Sequence, residues 1–173
     1  MSATYEVDLA GPDETRALGS RLAGVLRAGD LVVLTGDLGA GKTTLTQGIG
    51  AGLDVRGQVA SPTFIIARTH PPLGTGPALV HVDAYRLASL EEVDALDLDT
   101  SLEESVTVVE WGAGLVEGLA QDRLEIDVRR PRGGLDPAAA EVADAGTRHV
   151  VVRPVGPRWE GENLPAVVGG AVV

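Results

Sequence analysis

Apolar positions along this chain recur in two rhythms, period two and period near 3.6, and their alternation predicts an α/β fold. Residues 4–9 (TYEVDL) alternate and read as a short strand. From Asp13 to Arg27, Leu18, Leu22, Val25 and Leu26 fall at helical spacing, with Asp13 as N-cap and Gly29 closing the helix. Leu31 to Thr35 (LVVLT) is a continuous, largely β-branched run, the pattern of a strand buried on both faces. A glycine-rich stretch follows, then a helix from about Lys42 to Gly50. Thr63–Thr69 (TFIIART) and Ala78–Asp83 (ALVHVD) read as strands separated by the loop HPPLGTGP. Ser89 to Leu96 is a short acidic helix with Ser89 and Glu92 as a capping box. Val106 to Glu110 (VTVVE) is another buried strand, followed by a helical turn near Leu115 to Leu119.

Arg123–Arg129 (RLEIDVR) and Thr147–Arg153 (TRHVVVR) both alternate. With the loop 131–146 between them, they predict an antiparallel hairpin at one sheet edge. From Gly156 onward the chain is rich in Gly and Pro without periodicity. It reads as a flexible tail, 156–173, in which only VVGGAVV is apolar enough to pack. With no internal repeat and no linker, residues 1–155 read as one domain.

Composition narrows this picture. A chain of 173 residues is long enough to bury a core without disulfides, and the absence of cysteine excludes thiolate metal sites and cysteine nucleophiles. Aromatics make up only 3%, so the core is aliphatic, as suits a parallel sheet under helices. A net charge of −11 argues against this surface gripping nucleic acid or an anionic membrane unaided. The start MSATYEVDLAG lacks the pattern of a signal peptide, and no apolar run approaches a membrane span, so a cytoplasmic location is expected. The acidic stretch 91–104 reads as a solvated face or a dock for a basic partner.

The chemistry lies in Gly36-Asp37-Leu38-Gly39-Ala40-Gly41-Lys42-Thr43, which matches G-x-x-x-x-G-K-[ST] between a buried strand and a helix. Glycines let backbone N–H groups curl around phosphate oxygens, and the helix N-terminus adds partial positive charge at the same point. The expected nucleotide contacts are Asp37, Leu38, Gly39, Ala40, Gly41, Lys42, Thr43 and Thr44. Lys42 reaches the β- and γ-phosphates, and the Thr43 hydroxyl is a ligand of Mg²⁺. Thirteen of the 14 basic residues are arginine, and the sole lysine is Lys42, a compact charge on a slim stem that fits a tight loop. Such a site also needs an acid at the end of another buried strand. Asp83 ends ALVHVD and Glu110 ends VTVVE, and either alone is equally a solvated strand end. The Asn-Lys-x-Asp segment that recognises guanine is impossible here, because the lone lysine is Lys42 and the lone asparagine is Asn163. Adenine is favoured by elimination. The fold expected is a three-layer P-loop NTPase domain, its mixed sheet having a parallel core and antiparallel edge strands.

Four segments, GDLGAGKTT (36–44), SPTF (61–64), HVDAYRL (81–87) and VVEWG (108–112), together resemble the TsaE family over roughly residues 5–153. That family comprises small ATPases required for the threonylcarbamoyladenosine modification of tRNA. The resemblance implies a switch-like SPTF near the γ-phosphate, where the Thr63 hydroxyl senses it, and acids around magnesium and water in the segments holding Asp83 and Glu110. It implies two partners, TsaD and TsaB, and ATP hydrolysis serving the cycle of that assembly. Where the family often has Trp-Pro-Glu, this chain has Trp111-Gly112-Ala113, so no acid stands at 113. The resulting expectation is a slow Mg²⁺-dependent ATPase binding ATP and ADP. Lys42, Asp83 and Glu110 are catalytic, Thr43 and Glu110 hold the metal, and Thr63 and Trp111 join the nucleotide contacts. Tyr85 and Arg86 are left between contact with a partner or the nucleotide and packing on the helix after them, and His70, His81 and His149 are given no role. Apart from Lys42, no basic residue is placed against the transferring phosphate. The rival enzyme is a small-molecule P-loop kinase, with Arg129-Arg130-Pro131-Arg132 imitating a lid; the rival non-enzyme is a nucleotide-gated binding subunit.

Overall fold

The computed structural model describes residues 3–36, 39–59, 67–84, 102–111, 120–130 and 147–173. Eight strands form one mixed sheet. They are β1 (Tyr5–Leu9), β2 (Leu31–Thr35), β3 (Ala67–His70), β4 (Ala78–Asp83), β5 (Ser105–Glu110), β6 (Arg123–Arg129), β7 (Arg148–Val155) and β8 (Ala171–Val172), in the order β3-β4-β5-β2-β6-β7-β1-β8. The run β4-β5-β2-β6 is parallel, and the pairings of β3, β7, β1 and β8 are antiparallel. The apolar runs of β2 and β5 sit in the middle of the parallel part, buried along nearly their whole length, as aliphatic residues with no solvent-facing side require.

Alternation along these strands divides the core in two. Val32, Leu34, Leu79, Val106, Val108 and Ile126 face the helices α1 (Pro12–Ala23) and α2 (Lys42–Leu53). Leu31, Val33, Val80, Val82 and Val109 face the other way, against Ala84 and Leu102. The two helices approach backbone to backbone, because a Cβ at Gly19 would collide with the Leu45 carbonyl and one at Gly48 with the Arg16 carbonyl. Helix α1 begins one residue before Asp13 and ends at Ala23 rather than Arg27. Gly11 is its N-cap, Pro12 opens it, and Gly24, still in a right-handed helical conformation, is its C-cap.

Three expectations are corrected or bounded. First, β6 and β7 do pair antiparallel, from Arg123↔Val155 to Arg129↔His149, but they are not at the edge. β1 pairs on the far side of β7, and β8 on the far side of β1, so the C-terminal residues form that edge. Second, the tail is built into the domain, with no boundary after residue 155. Pro157–Trp159 form a 3₁₀ turn, α3 spans Leu164–Val168, and Trp159, Leu164 and Val168 are buried in the main core. The Arg158 guanidinium ties this segment down, reaching Asp30 at 2.8 and 2.9 Å, Glu162 at 2.7 Å and the Val25 carbonyl at 2.7 Å. Third, the expected elements at residues 63–66, Ser89–Leu96 and Leu115–Leu119, the loop 131–146, and most of the acidic stretch 91–104 lie outside the described residues. No helix among the described residues is long and apolar enough to cross a membrane.

Candidate functional site

Between the end of β2 and the start of α2 the backbone takes conformations that only glycine adopts readily. Gly36 has φ 144° and a Cβ there would collide with the Val128 carbonyl, while Gly41, the N-cap of α2, has φ 109°. The loop is held from outside by Arg148, at the start of β7. Its Nε donates to the Ala40 carbonyl at 2.7 Å, its Nη2 to the Gly39 carbonyl at 3.3 Å and its Nη1 to the Thr147 carbonyl at 2.9 Å. A trans peptide sets C=O and N–H in opposite directions, so the N–H groups of Ala40 and Gly41 point away from that guanidinium. Burial first, then the nearby Arg130 guanidinium, hold the pKa of Arg148 below the usual arginine value.

Lys42 opens α2 and is 5% exposed. Its Nζ donates to the Gly36 carbonyl at 2.8 Å and lies 4.2 Å from the centroid of the Trp111 ring. Trp111 follows β5 with φ 62°, a left-handed conformation unusual for so large a residue, and its N–H donates to the Leu34 carbonyl at 3.0 Å. That turn at the end of the strand sets the indole beside the ammonium.

Period two places Leu79, His81 and Asp83 of β4, and Val106, Val108 and Glu110 of β5, on the face that α2 covers. The parallel register brings Asp83 beside Glu110 at the strands' C-terminal ends. Glu110 is buried; its Oε1 accepts a hydrogen bond from the Thr43 hydroxyl at 3.2 Å, and its Oε2 meets His81 Nε2 at 2.7 Å. Gly39, Gly41, Lys42, Thr43, Thr44, Asp83, Glu110 and Trp111 line one cleft of about 210 Å³. Ala40, the other described member of the expected set, is fully buried in the loop. Asp37, Leu38 and Thr63 lie outside the described residues, as do Ser61, Pro62, Phe64, Tyr85 and Arg86. Among the described residues no group of three or more His, Asp or Glu could hold a metal unaided. Thr43 Oγ1 and Glu110 Oε1 are hard oxygen donors, the kind that suits Mg²⁺ sharing its remaining sites with phosphate and water.

Two residues given no part by the sequence belong here. His81 is fully buried, and its signal was a polar residue inside an aliphatic strand, two places before Asp83. Arg148 lies 108 residues from Ala40 and carries no local signal. Two arginines stand near the loop in addition to Lys42. Arg148 grips it, and Arg130 Nη1 lies 3.9 Å from where a Gly39 Cβ would be. Arg148 opens β7 and Arg130 directly follows β6, so this end of the antiparallel pair lies beside the loop.

Comparison with known proteins identifies the family of the chain. The family model "Threonylcarbamoyl adenosine biosynthesis protein TsaE" matches residues 9–134. The tRNA threonylcarbamoyladenosine biosynthesis protein TsaE of Streptomyces coelicolor is 57% identical over 155 residues, which cover 89% of this chain and 99% of that protein. The protein of the same name from Bacillus subtilis is 41% identical over 120 residues, 69% of this chain and 73% of that protein. The crystal structure of Bacillus subtilis YdiB superposes with a TM-score of 0.67 at 31% identity, covering 92% of this chain and 91% of that one. The chain belongs to the TsaE family of threonylcarbamoyladenosine biosynthesis proteins.

Proposed function

We propose that this protein binds ATP at the loop Gly36–Thr43 and hydrolyses it slowly, as a cytoplasmic subunit serving the threonylcarbamoyladenosine modification of tRNA with TsaD- and TsaB-type partners. The observation that carries this reading is the 3.2 Å contact between the Thr43 hydroxyl and Glu110. It joins the first turn of α2 to the end of β5, at the place where a nucleotide's Mg²⁺ needs both a hydroxyl and a carboxylate. The family's place in the pathway, carried by the names of its members, supports the biological half.

In this reading the N–H groups of Ala40 and Gly41, turned away from Arg148, and the N-terminus of α2 receive the phosphates. Lys42 leaves the Gly36 carbonyl to neutralise β- and γ-phosphate charge. Thr43 and Glu110 hold Mg²⁺, which when bound offsets charge on the phosphate oxygens. Asp83, beside Glu110, orients or polarises the attacking water. Trp111 flanks the nucleotide, Asp37, Leu38 and Thr44 complete its contacts, and Thr63 senses the γ-phosphate. The adenine preference rests on the absence of any Asn-Lys-x-Asp segment. The tRNA is reached only through the partners, consistent with the net charge of −11.

The test compares two variants. Glu110→Ala should lose Mg²⁺-dependent hydrolysis yet keep ADP, because the loop amides still grip the phosphates; Asp83→Ala should keep the Mg²⁺ requirement while slowing turnover. If Glu110→Ala hydrolyses ATP normally and Asp83→Ala does not, the metal assignment is reversed.

A further inference from the structure

The chemistry just described gives His81 no part, although its placement is costly. An imidazole at the centre of ALVHVD, fully buried, loses solvation that only hydrogen bonds replace. One ring nitrogen is used, Nε2 at 2.7 Å from Glu110 Oε2, while Nδ1 is buried with no partner. A valine or leucine would pack there without stranding a nitrogen. The imidazole therefore sits in an unfavourable place for a single contact, and that contact is to Glu110.

That contact divides the carboxylate's labour. Oε2 faces His81 from behind, inside the sheet's helical face, and Oε1 faces the Thr43 hydroxyl in front, at the cleft. The terminal torsion of a glutamate is broad and nearly two-fold, so a carboxylate without a rear partner samples many plane angles. We propose that His81 is a positioning residue: by donating from Nε2 to Oε2 it fixes the Glu110 carboxylate plane so that Oε1 stays beside Thr43 Oγ1, ready for a divalent cation. This inference rests on the reading of Thr43 and Glu110 as the cation's protein ligands. Hydrogen-bond partners behind metal ligands generally act this way, and their loss costs about 10–100-fold in metal affinity.

The experiment measures the affinity for a non-hydrolysable ATP analogue calorimetrically, with Mg²⁺ and with a chelator, in wild type, His81→Leu and His81→Gln. The ratio of the two affinities is the Mg²⁺ coupling. His81→Leu should keep its metal-free affinity, since the loop is untouched, and lose about tenfold or more of the coupling. His81→Gln, which offers an amide N–H at comparable reach, should restore most of it. A leucine variant that retains full coupling overturns the proposal, as does one that weakens metal-free and Mg²⁺-dependent binding equally, the mark of a packing role. Absence of coupling in wild type instead sinks the reading of Thr43 and Glu110, and the inference with it. Should His81→Leu fail to fold, His81→Asn replaces it; its shorter amide does not reach Oε2. Coupling kept by Gln and lost by Asn then supports the proposal, and equal coupling in both overturns it.

Discussion

Substitution of Lys42 gives the sharpest energetic expectation. Its Nζ is held by the Gly36 carbonyl at 2.8 Å and lies 4.2 Å from the centroid of the Trp111 ring. Two charge-assisted bonds to phosphate are worth about 1.5–3 kcal/mol each, and the bond to Gly36 given up on binding offsets part of that gain. A net of about 2–4 kcal/mol remains, and at about 1.4 kcal/mol per factor of ten Lys42→Ala should weaken nucleotide binding roughly 30- to 700-fold. Loss of the Gly36 bond and the ring contact should cost the fold about 1–2 kcal/mol, a fall in Tm of roughly 2–8 °C for a chain of this size. Lys42→Arg should bind within about tenfold of the alanine variant, because a planar fork does not fit where a compact ammonium passes between the Gly36 carbonyl and the indole. Calorimetric titration with ADP, paired with thermal melts, measures both quantities. Full affinity in Lys42→Arg would refute the reasoning, since the site would then require only charge.

Arg148→Met keeps the length of the side chain but removes all three of its hydrogen bonds, so the loop should lose its fixed curvature. ADP binding should weaken about tenfold even with the metal chelated, and unchanged metal-free affinity would show that the glycines hold the loop alone. Truncation after Val155 removes the buried Trp159, Leu164 and Val168 and the Arg158–Asp30 pair. At about 1.5–3 kcal/mol for each fully buried apolar side chain, the loss is of the order of a whole domain's stability, about 5–15 kcal/mol. The shortened chain should melt far below the full one in circular dichroism, and an equal Tm would show that the packed tail contributes nothing.

How legible each part was in the sequence follows from how local its cause is. LVVLT and VTVVE betray buried strands because a strand covered on both faces is apolar along most of its length, and both lie at the middle of the parallel sheet. The loop was legible because its glycines answer to local backbone geometry. The tail was not: its buried residues are spread over ten positions between glycines, and its partners, Asp30, Val25 and β1, are far away in sequence. The hairpin's neighbours were equally hidden, because alternation tells which face a strand buries and not which strand lies beside it. Within the site, the strand-end carboxylates could be read from the pattern, whereas Arg148 acts across 108 residues and His81 through a cross-strand register that sequence alone does not fix.

The central claim is that nucleotide turnover in this cleft is small in isolation and is governed by the partners. Steady-state phosphate release from ATP and Mg²⁺, measured with the protein alone and with a TsaB–TsaD pair added, tests it most directly. An arginine or a closing partner at a phosphoryl-transfer site is worth about 10³–10⁵ in rate, so a change of at least about tenfold on adding the pair is the modest end of expectation. The account predicts slow, Mg²⁺-dependent release by the protein alone and a rate clearly altered in the complex. No Mg²⁺-dependent release under either condition, or a rate indifferent to the pair, would contradict it.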